Sequence, residues 1–357
     1  MCIRDSNIAA RLEQHAPRNG VVVSPQTRSL VGGSFQLRSL GVKSLKGVPD
    51  PLEVFEVAGR VNATSVLRPR EDAPIGREDE LAALDAAWAR ARDGLSRVTV
   101  AAEPGAGKTT LAGAFLARAD LSREQIVELA CTETGRNTPY SSLSAAIDRW
   151  LRAAASRDPH GDPKSRLRTW FDGDPANAAQ HAAAFEAVWS PDPAAEPPSP
   201  RAVADAASAF AASRPSPLLI VVEDAHWIDA STLEILDHVL DREGARVMLL
   251  ALTRPGAQAQ WDRDQEVRIE LQGLDATKSG KLIEATLGAP AEPAVLQRIF
   301  AATEGLPLYL EEYTRSLRDS EAITIQRGVF RTARLDTEQR TPESLLDLIT
   351  ARLDTLG

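Results

Sequence analysis

Cysteine is nearly absent from this 357-residue chain, which has only Cys2 and Cys131. Two thiols are too few for a disulfide framework or a thiolate zinc site, and a reducing cytoplasm is the compartment they imply. Aromatic residues are scarce at 5%, whereas alanine, arginine, aspartate and proline are plentiful, a bias of the kind GC-rich bacterial coding produces. There is no excess of positive charge. The net charge of −9 argues against a nucleic-acid surface built on phosphate contacts in the region present. Long apolar runs are missing too. The longest, near 218–222 and 247–252, fall far short of the roughly 20 residues a membrane helix needs, and no secretory leader pattern is evident. What remains is an ordinary soluble composition, 43% apolar and 25% charged, over a length that allows two or three domains.

The densest signal lies in residues 97–110, RVTVAAEPGAGKTT. A β-branched strand runs into a glycine-rich turn that ends in Lys-Thr-Thr. An amphipathic helix follows, with Leu111 and Phe115, and Ala112 and Leu116, spaced four apart. Gly105 and Gly107, on either side of Ala106, let the backbone curl with its N–H groups pointing inward. The first N–H groups of the helix, at Lys108, Thr109 and Thr110, then face the same anion along the helix dipole. Lys108 offers a point charge to the outer phosphates, and the Thr109 hydroxyl offers an oxygen to Mg²⁺. The full pattern, G-x-x-x-x-G-K-[ST], starts with a glycine where this chain has Ala102. That position closes the strand, where alanine costs little. A glycine turn with a chance Lys-Thr is the competing reading, and the strand before and helix after disfavour it.

A phosphate cradle needs acids to become a nucleotide-hydrolysing site, and residues 217–232, PLLIVVEDAHWIDAST, supply them. Leu218 to Val222 form a continuous apolar run, as a parallel strand covered on both faces requires. Glu223 and Asp224 fall where the strand leaves the core, the end at which open α/β sheets gather ligands, so they are expected on the strand neighbouring the cradle. One acid would hold Mg²⁺ and the other would polarise the attacking water; spacing does not say which. The next helix is expected to start with a capping box of Ser231 and Glu234 and to bury Leu233, Leu236 and Leu240. A third apolar strand, Val247 to Leu252, ends in Thr253-Arg254-Pro255, where Arg254 is placed to fork onto a terminal phosphate. Gly305-Leu306-Pro307-Leu308 breaks a helical pattern between Ile299-Phe300 and Leu310-Tyr313-Leu317. It is either a plain helix–helix corner or a rigid turn packed on the nucleotide base or ribose.

These segments, with PIGREDEL at 74–81, LLALTRP and TEGLPLYLEE at 303–312, resemble the STAND class of signal-transduction ATPases, an AAA-like ATP-binding domain of large bacterial regulators. The resemblance covers roughly 74–357, and its most specific part is EDxHWxDxST. It implies that Ile75, Gly76 and Arg77 lie near the adenine, that Arg254 is a sensor, and that Gly305 and Pro307 belong to a nucleotide-facing helical lid. His226 and Trp227 are family marks of the loop after the acids; His226 is expected to be a packed loop histidine rather than a catalyst.

Residues 7–58 read differently, as a short helix, a strand at Gly20–Val23, a helical piece, and strands near Phe35–Leu40 and Leu52–Val57. So small a set would make a poor independent core. The segment resembles the C-terminal end of a class III nucleotidyl cyclase domain. The family's N-x-x-x-R signature matches Asn7 and Arg11, which would stabilise the transition state, and Lys46 matches a triphosphate-contacting lysine. The family's metal-binding aspartates would lie upstream of Asn7, so the segment is expected to be inactive as a cyclase by itself. Residues 1–6 read as a cloning or assembly artefact, 59–73 as a linker, and 190–200 as an exposed polyproline-like loop. A winged-helix-like region is expected to begin at 321, with a helical stripe at Leu346, Ile349 and Leu353.

The expected fold is thus α/β: a P-loop NTPase with a parallel sheet flanked by helices over 74–272 and a helical lid over 273–320, preceded by a partial α+β cyclase-type fragment. The expected cofactors are ATP and Mg²⁺. The expected partners are cyclase and helical-repeat regions of the same polypeptide and a second copy through the cyclase domain, with no membrane and no nucleic acid. A slow ATPase switch is the leading reading. A constitutive P-loop ATPase or kinase, a transcription regulator that has lost its DNA-binding module, and a non-hydrolysing scaffold remain open beside it.

Overall fold

A computed structural model describes residues 12, 16, 21–25, 27–28, 35–43, 51–60, 67, 73–155, 162–173, 175–192, 194, 196–257 and 266–332. They fall into two units, one within 1–66 and 152–159 and the other within 67–151 and 160–357. Asn7, Arg11, Lys46 and the stripe at Leu346, Ile349 and Leu353 lie outside the described residues.

In the first unit the three expected strands correspond to β1 (Val22–Val23), β2 (Phe35–Lys43) and β3 (Leu52–Arg60). They form an antiparallel sheet in the order β1-β3-β2. The β2–β3 register shifts between Ser39 and Val42, where Gly41 takes a φ of 80° that suits a bulge. Cross-strand contacts hold the sheet outside its small core: Arg38 Nε donates to Glu56 at 2.9 Å and Ser39 Oγ to Glu53 at 2.6 Å. Leu12 and Val54, packed by Val22 and Leu52, form one small apolar cluster, and Phe55 is buried beside Val54 in β3 with the Arg28 guanidinium over its ring.

The second unit is built on five parallel strands, β4 (Leu95–Ala102), β5 (Ile126–Ala130), β6 (Leu218–Glu223), β7 (Val247–Thr253) and β8 (Val267–Leu271). Their order is β5-β6-β7-β4-β8. Every residue of β6 and β7 is buried, as the apolar runs require. The two-residue period sends Leu219 and Val221 to one face, where they meet Leu111 and Phe115 of α2 (Lys108–Arg118) and Leu81 and Leu84 of α1 (Glu78–Arg90). Leu218, Ile220 and Val222 go to the other face.

That second face is covered by four helices between β5 and β6: α3 (Ser141–Ala155), α4 (Pro163–Thr169), α5 (Ala178–Trp189) and α6 (Pro200–Ala212). The few aromatics concentrate here. Trp150 stacks on Phe210 with centroids 4.5 Å apart, and Trp170, Phe171 and Phe185 close the cluster.

Helix α7 (Ala230–Leu240) does not start with the expected capping box. Asp229 is its N-cap and accepts from Thr232 N, because a carboxylate one residue before the helix outcompetes the serine inside the first turn. Its buried face is Thr232, Ile235, Leu236, Val239 and Leu240, with Leu233 only partly covered.

The chain then forms α8 (Ala276–Leu287), α9 (Pro293–Thr303) and α10 (Pro307–Asp319), and a hairpin of β9 (Ile323–Gln326) and β10 (Val329–Thr332). Ile283, Ile299, Leu310, Tyr313, Leu317 and Phe330 form a core of their own. The hairpin turns on Arg327 and Gly328, with φ of 53° and 81°, the two positive values a tight two-residue turn needs.

The α9–α10 corner lies against the segment leaving β8. Leu274 N donates to Gly305 O at 2.8 Å, and a Cβ on Gly305 would stand 2.1 Å from Leu274 O. Gly305→Ala is therefore expected to destabilise the protein by more than ~2 kcal/mol. Gly288→Ala serves as the comparison. It has the same φ of 74° but nothing within 4 Å, so it carries only the left-handed penalty of about 1–2 kcal/mol. Urea midpoints of the two variants measure the difference.

Candidate nucleotide-phosphate site

The loop after β4 curls as its glycines allow. Gly105 has φ 83°, and Gly107, φ 97°, is the N-cap of α2. Ala106 N bonds back to Glu103 O at 3.2 Å, and Leu111 N to Gly107 O at 2.9 Å. No side chain caps α2 and no acid lies in its first turn, so the amides at Lys108, Thr109 and Thr110 keep their anion-binding capacity. Ala102 is buried as the last strand residue, and its carbonyl accepts from Lys108 Nζ, which also reaches Glu103 O at 3.3 Å. Thr109 is exposed. Burial lowers the Lys108 pKa most; Asp224 works against this, Arg254 adds to it, and Glu103 raises it.

Strand β6 is not the neighbour of β4; β7 lies between them. The expectation of adjacent strands is corrected accordingly. The intervening strand brings Arg254, exposed and directly after β7, within electrostatic reach of Lys108.

The two acids at the end of β6 occupy opposite environments. Glu223 is 9% exposed and its Oε1 has no hydrogen-bond partner. Burial pushes its pKa up to about 7, helped by Glu128 and Asp224 and opposed by Arg149. Asp224 is exposed and left-handed at φ 48°, a conformation aspartate tolerates, and it opens a single turn of helix over Ala225–Trp227. Lys108 feels Asp224, and Glu223 is not among the groups acting on it. Thr253, wholly buried at the end of β7, also has an unpartnered hydroxyl.

The remaining positions form the surroundings of the cradle. Ile75 is half-buried and Gly76 is buried beneath Lys278, whose side chain a Cβ there would meet at 2.6 Å. The Arg77 guanidinium is engaged by Glu80 Oε1 at 3.0 Å, Ala106 O at 3.2 Å and Gln272 O at 2.6 Å. It therefore fastens the glycine loop to the end of β8. Gly305 is buried and Pro307 opens α10, whose next residue, Leu308, donates its N–H to Gly105 O at 3.2 Å. The corner thus abuts the phosphate loop itself.

Sequence reasoning assigned no role to Asp229, Glu128, Arg149 or Thr253. Asp229 is 1% exposed and accepts four hydrogen bonds, from Tyr140 N, Ser142 N, Thr232 N and Thr232 Oγ1, at 2.8–3.1 Å. It joins the starts of α3 and α7. The available signal was an N-cap acid three residues before Thr232. A cavity of about 530 Å³ beside the segments leading into β6 and β7, lined by Arg201, Asp205, Ser208, His238 and Arg242 among others, shares no residue with the phosphate site. Among the described residues no group of three or more His, Cys, Asp or Glu could hold a metal alone, and no helix is long and apolar enough to cross a membrane.

Fold and site together define a P-loop NTPase: a parallel sheet whose first strand feeds a glycine loop and an uncapped helix, with an arginine at the end of the adjacent strand and acids at the end of the strand beyond it. Residues 73–251, about half of the sequence, match the AAA ATPase domain family, and the chain belongs to that family. Residues 276–331 match a domain of unknown function, DUF8739. An uncharacterized protein of Rhizobium meliloti, R02095, is 27% identical over 347 residues, covering 85% of this chain and 31% of its own length. The chain thus spans about a third of that relative. Among solved structures, a STAND protein with a tetratricopeptide repeat sensor, PH0952 from Pyrococcus horikoshii, has a TM-score of 0.40 at 13% identity, over 69% of this chain and 30% of that one. A mutant of RuvB from Thermotoga maritima has a TM-score of 0.40 at 16% identity, over 71% and 66%.

Asp229→Ala removes every acceptor of its cluster and is expected to cost at least ~3 kcal/mol, read as a fall in urea midpoint. Glu223 gives a pH test on protein without nucleotide or Mg²⁺. Its folded pKa of about 7 lies above the ordinary 4.5. The stability from its retained proton is fully present below the lower value and is lost as pH rises through the upper one. Glu223→Gln stays neutral throughout, so its melting temperature should gain on the parent between about pH 5 and about pH 8. Parallel profiles would remove the buried-acid description.

Proposed function

We propose that the chain is an ATP–Mg²⁺-binding switch of the STAND type with slow intrinsic hydrolysis. The observation that carries this reading is the convergence of Lys108, Asp224 and Arg254 around an uncapped helix start. The amides of Lys108 to Thr110 would take the phosphates that Lys108 neutralises, and Arg254 would bond the terminal one bidentately. The oxygen donors suit Mg²⁺: an exposed Thr109 hydroxyl and the unpartnered Oε1 of Glu223, too few to hold the ion without phosphate and water. When bound, Mg²⁺ would neutralise charge on the phosphates. Glu223, at the strand end, is assigned to the ion and its waters, and exposed Asp224 to orienting the attacking water. Ile75, Gly76, Gly305 and Pro307 would border the base and ribose, while Arg77 acts through the loop it fastens.

ATP can shift conformation only by binding one arrangement better than another, and the corner resting on Gly105 is the element such a preference would act on. The first unit is read as the end of a class III cyclase domain, supported by the matches at Asn7, Arg11 and Lys46 and by its antiparallel sheet. The activity of a longer polypeptide would then be cyclic-nucleotide synthesis in the cytoplasm under control of the ATPase.

Lys108→Ala is expected to weaken ATP binding by about 10- to 100-fold, the loss of charge-assisted hydrogen bonds, in a calorimetric titration. Asp224→Asn should leave that affinity nearly intact and slow phosphate release. Unchanged affinity in the first variant would overturn the phosphate assignment, and unchanged turnover in the second would move the water-orienting role to Glu223. Fast hydrolysis without any partner would favour a constitutive ATPase over a switch.

A further inference from the structure

His226 was expected to be a packed loop histidine, and its ring does lie against Trp227, with centroids 4.9 Å apart. Packing does not satisfy it. Both Nδ1 and Nε2 are buried with no hydrogen-bond partner in the protein, although an imidazole carries one donor and one acceptor even when neutral. The charged groups acting on this ring are Asp224, Arg254, Lys108 and Arg136. Three of those four are the groups proposed above to surround the terminal phosphate. His226 also shares its single helical turn with Asp224, the N-cap of that turn.

The other side of the ring leads away from the site. The Arg136 guanidinium lies over the Trp227 ring, 5.8 Å from its centroid. Arg136 follows the one-turn helix Glu133–Gly135 in the connection from β5 to α3. His226, Trp227 and Arg136 thus form a row of neighbouring side chains from the turn that Asp224 opens to that connection.

We propose that His226 is a phosphate-sensing residue that separates triphosphate from diphosphate: its ring donates a hydrogen bond to the terminal phosphate, and Trp227 and Arg136 carry its position to the β5–α3 connection. The proposal rests on the reading of the site as ATP-binding and adds to it the group that senses the third phosphate. A diphosphate, held by the loop amides and Lys108, would leave His226 without that partner.

The test compares Mg²⁺ complexes of a non-hydrolysable ATP analogue and of ADP, titrated on the parent, His226→Phe and His226→Gln. Phenylalanine keeps a ring against Trp227 and removes both nitrogens; glutamine restores a donor. His226→Phe should bind the triphosphate about tenfold or more weakly and ADP within about twofold of the parent, with His226→Gln recovering most of the loss. Equal weakening of both nucleotides, or of neither, overturns the proposal, because a role confined to loop packing does not discriminate the third phosphate. Hydrogen exchange over residues 132–140 reads the second half: the triphosphate should protect this segment in the parent and not in Trp227→Ala. Protection that persists in that variant overturns the relay. A parent that binds neither nucleotide overturns the ATP-binding reading itself, and this proposal with it, a result distinct from selective failure of the His226 variants.

Discussion

The site depends on one constraint of sheet order: β7 lies between the strand that feeds the glycine loop and the strand that ends in the acids. Were β4 and β6 adjacent, the loop lysine and the carboxylates would face each other without a cation between. The intervening strand contributes Arg254 at its carboxyl end, so Lys108 at the start of α2 has both Asp224 and Arg254 within electrostatic reach. Parallel pairing fixes this arrangement because all the strands deliver their ends on the same side, and ligands of open α/β sheets gather there. The ends stay in place because the β6 and β7 residues below them are buried on both faces.

The E-D-A-H-W-I-D segment separates into distinct physical tasks. Glu223 is enclosed and lies near Glu128, so its proton is held well above the usual carboxylate range although Arg149 works against this. Asp224, one residue on, is solvent-facing in a left-handed turn. Asp229 is a four-fold acceptor fastening two helix starts. Three acids within seven residues differ because burial and hydrogen bonding differ, not because their chemistry does.

Much of this was legible in sequence. Apolar runs located β6 and β7, glycine spacing located the cradle, and the Gly-Leu-Pro-Leu corner separated α9 from α10. Less legible were the edges. Strand β5 carries Glu128 in mid-run and β8 alternates, so neither shows a continuous apolar signal. Strand order was illegible for a physical reason: local pattern reports burial, whereas neighbour choice is decided by non-local pairing. Arg77 illustrates the same limit. The family resemblance implied that it lies near the adenine; that the carbonyls of Ala106 and Gln272, both distant in the chain, hold its guanidinium together with Glu80 is something no local pattern shows.

The α9–α10 corner touches the phosphate loop through main-chain atoms, Leu308 N to Gly105 O, and is fixed on its far side where Gly305 allows only bare backbone next to Leu274. Side chains can rotate out of the way of a motion; peptide groups cannot. Any swing of the C-terminal helices is therefore felt as a change in the polar environment of the loop carbonyl. Loop and helices share the hydrogen bond from Leu308 N to Gly105 O, so a tilt of α10 would be registered at the loop.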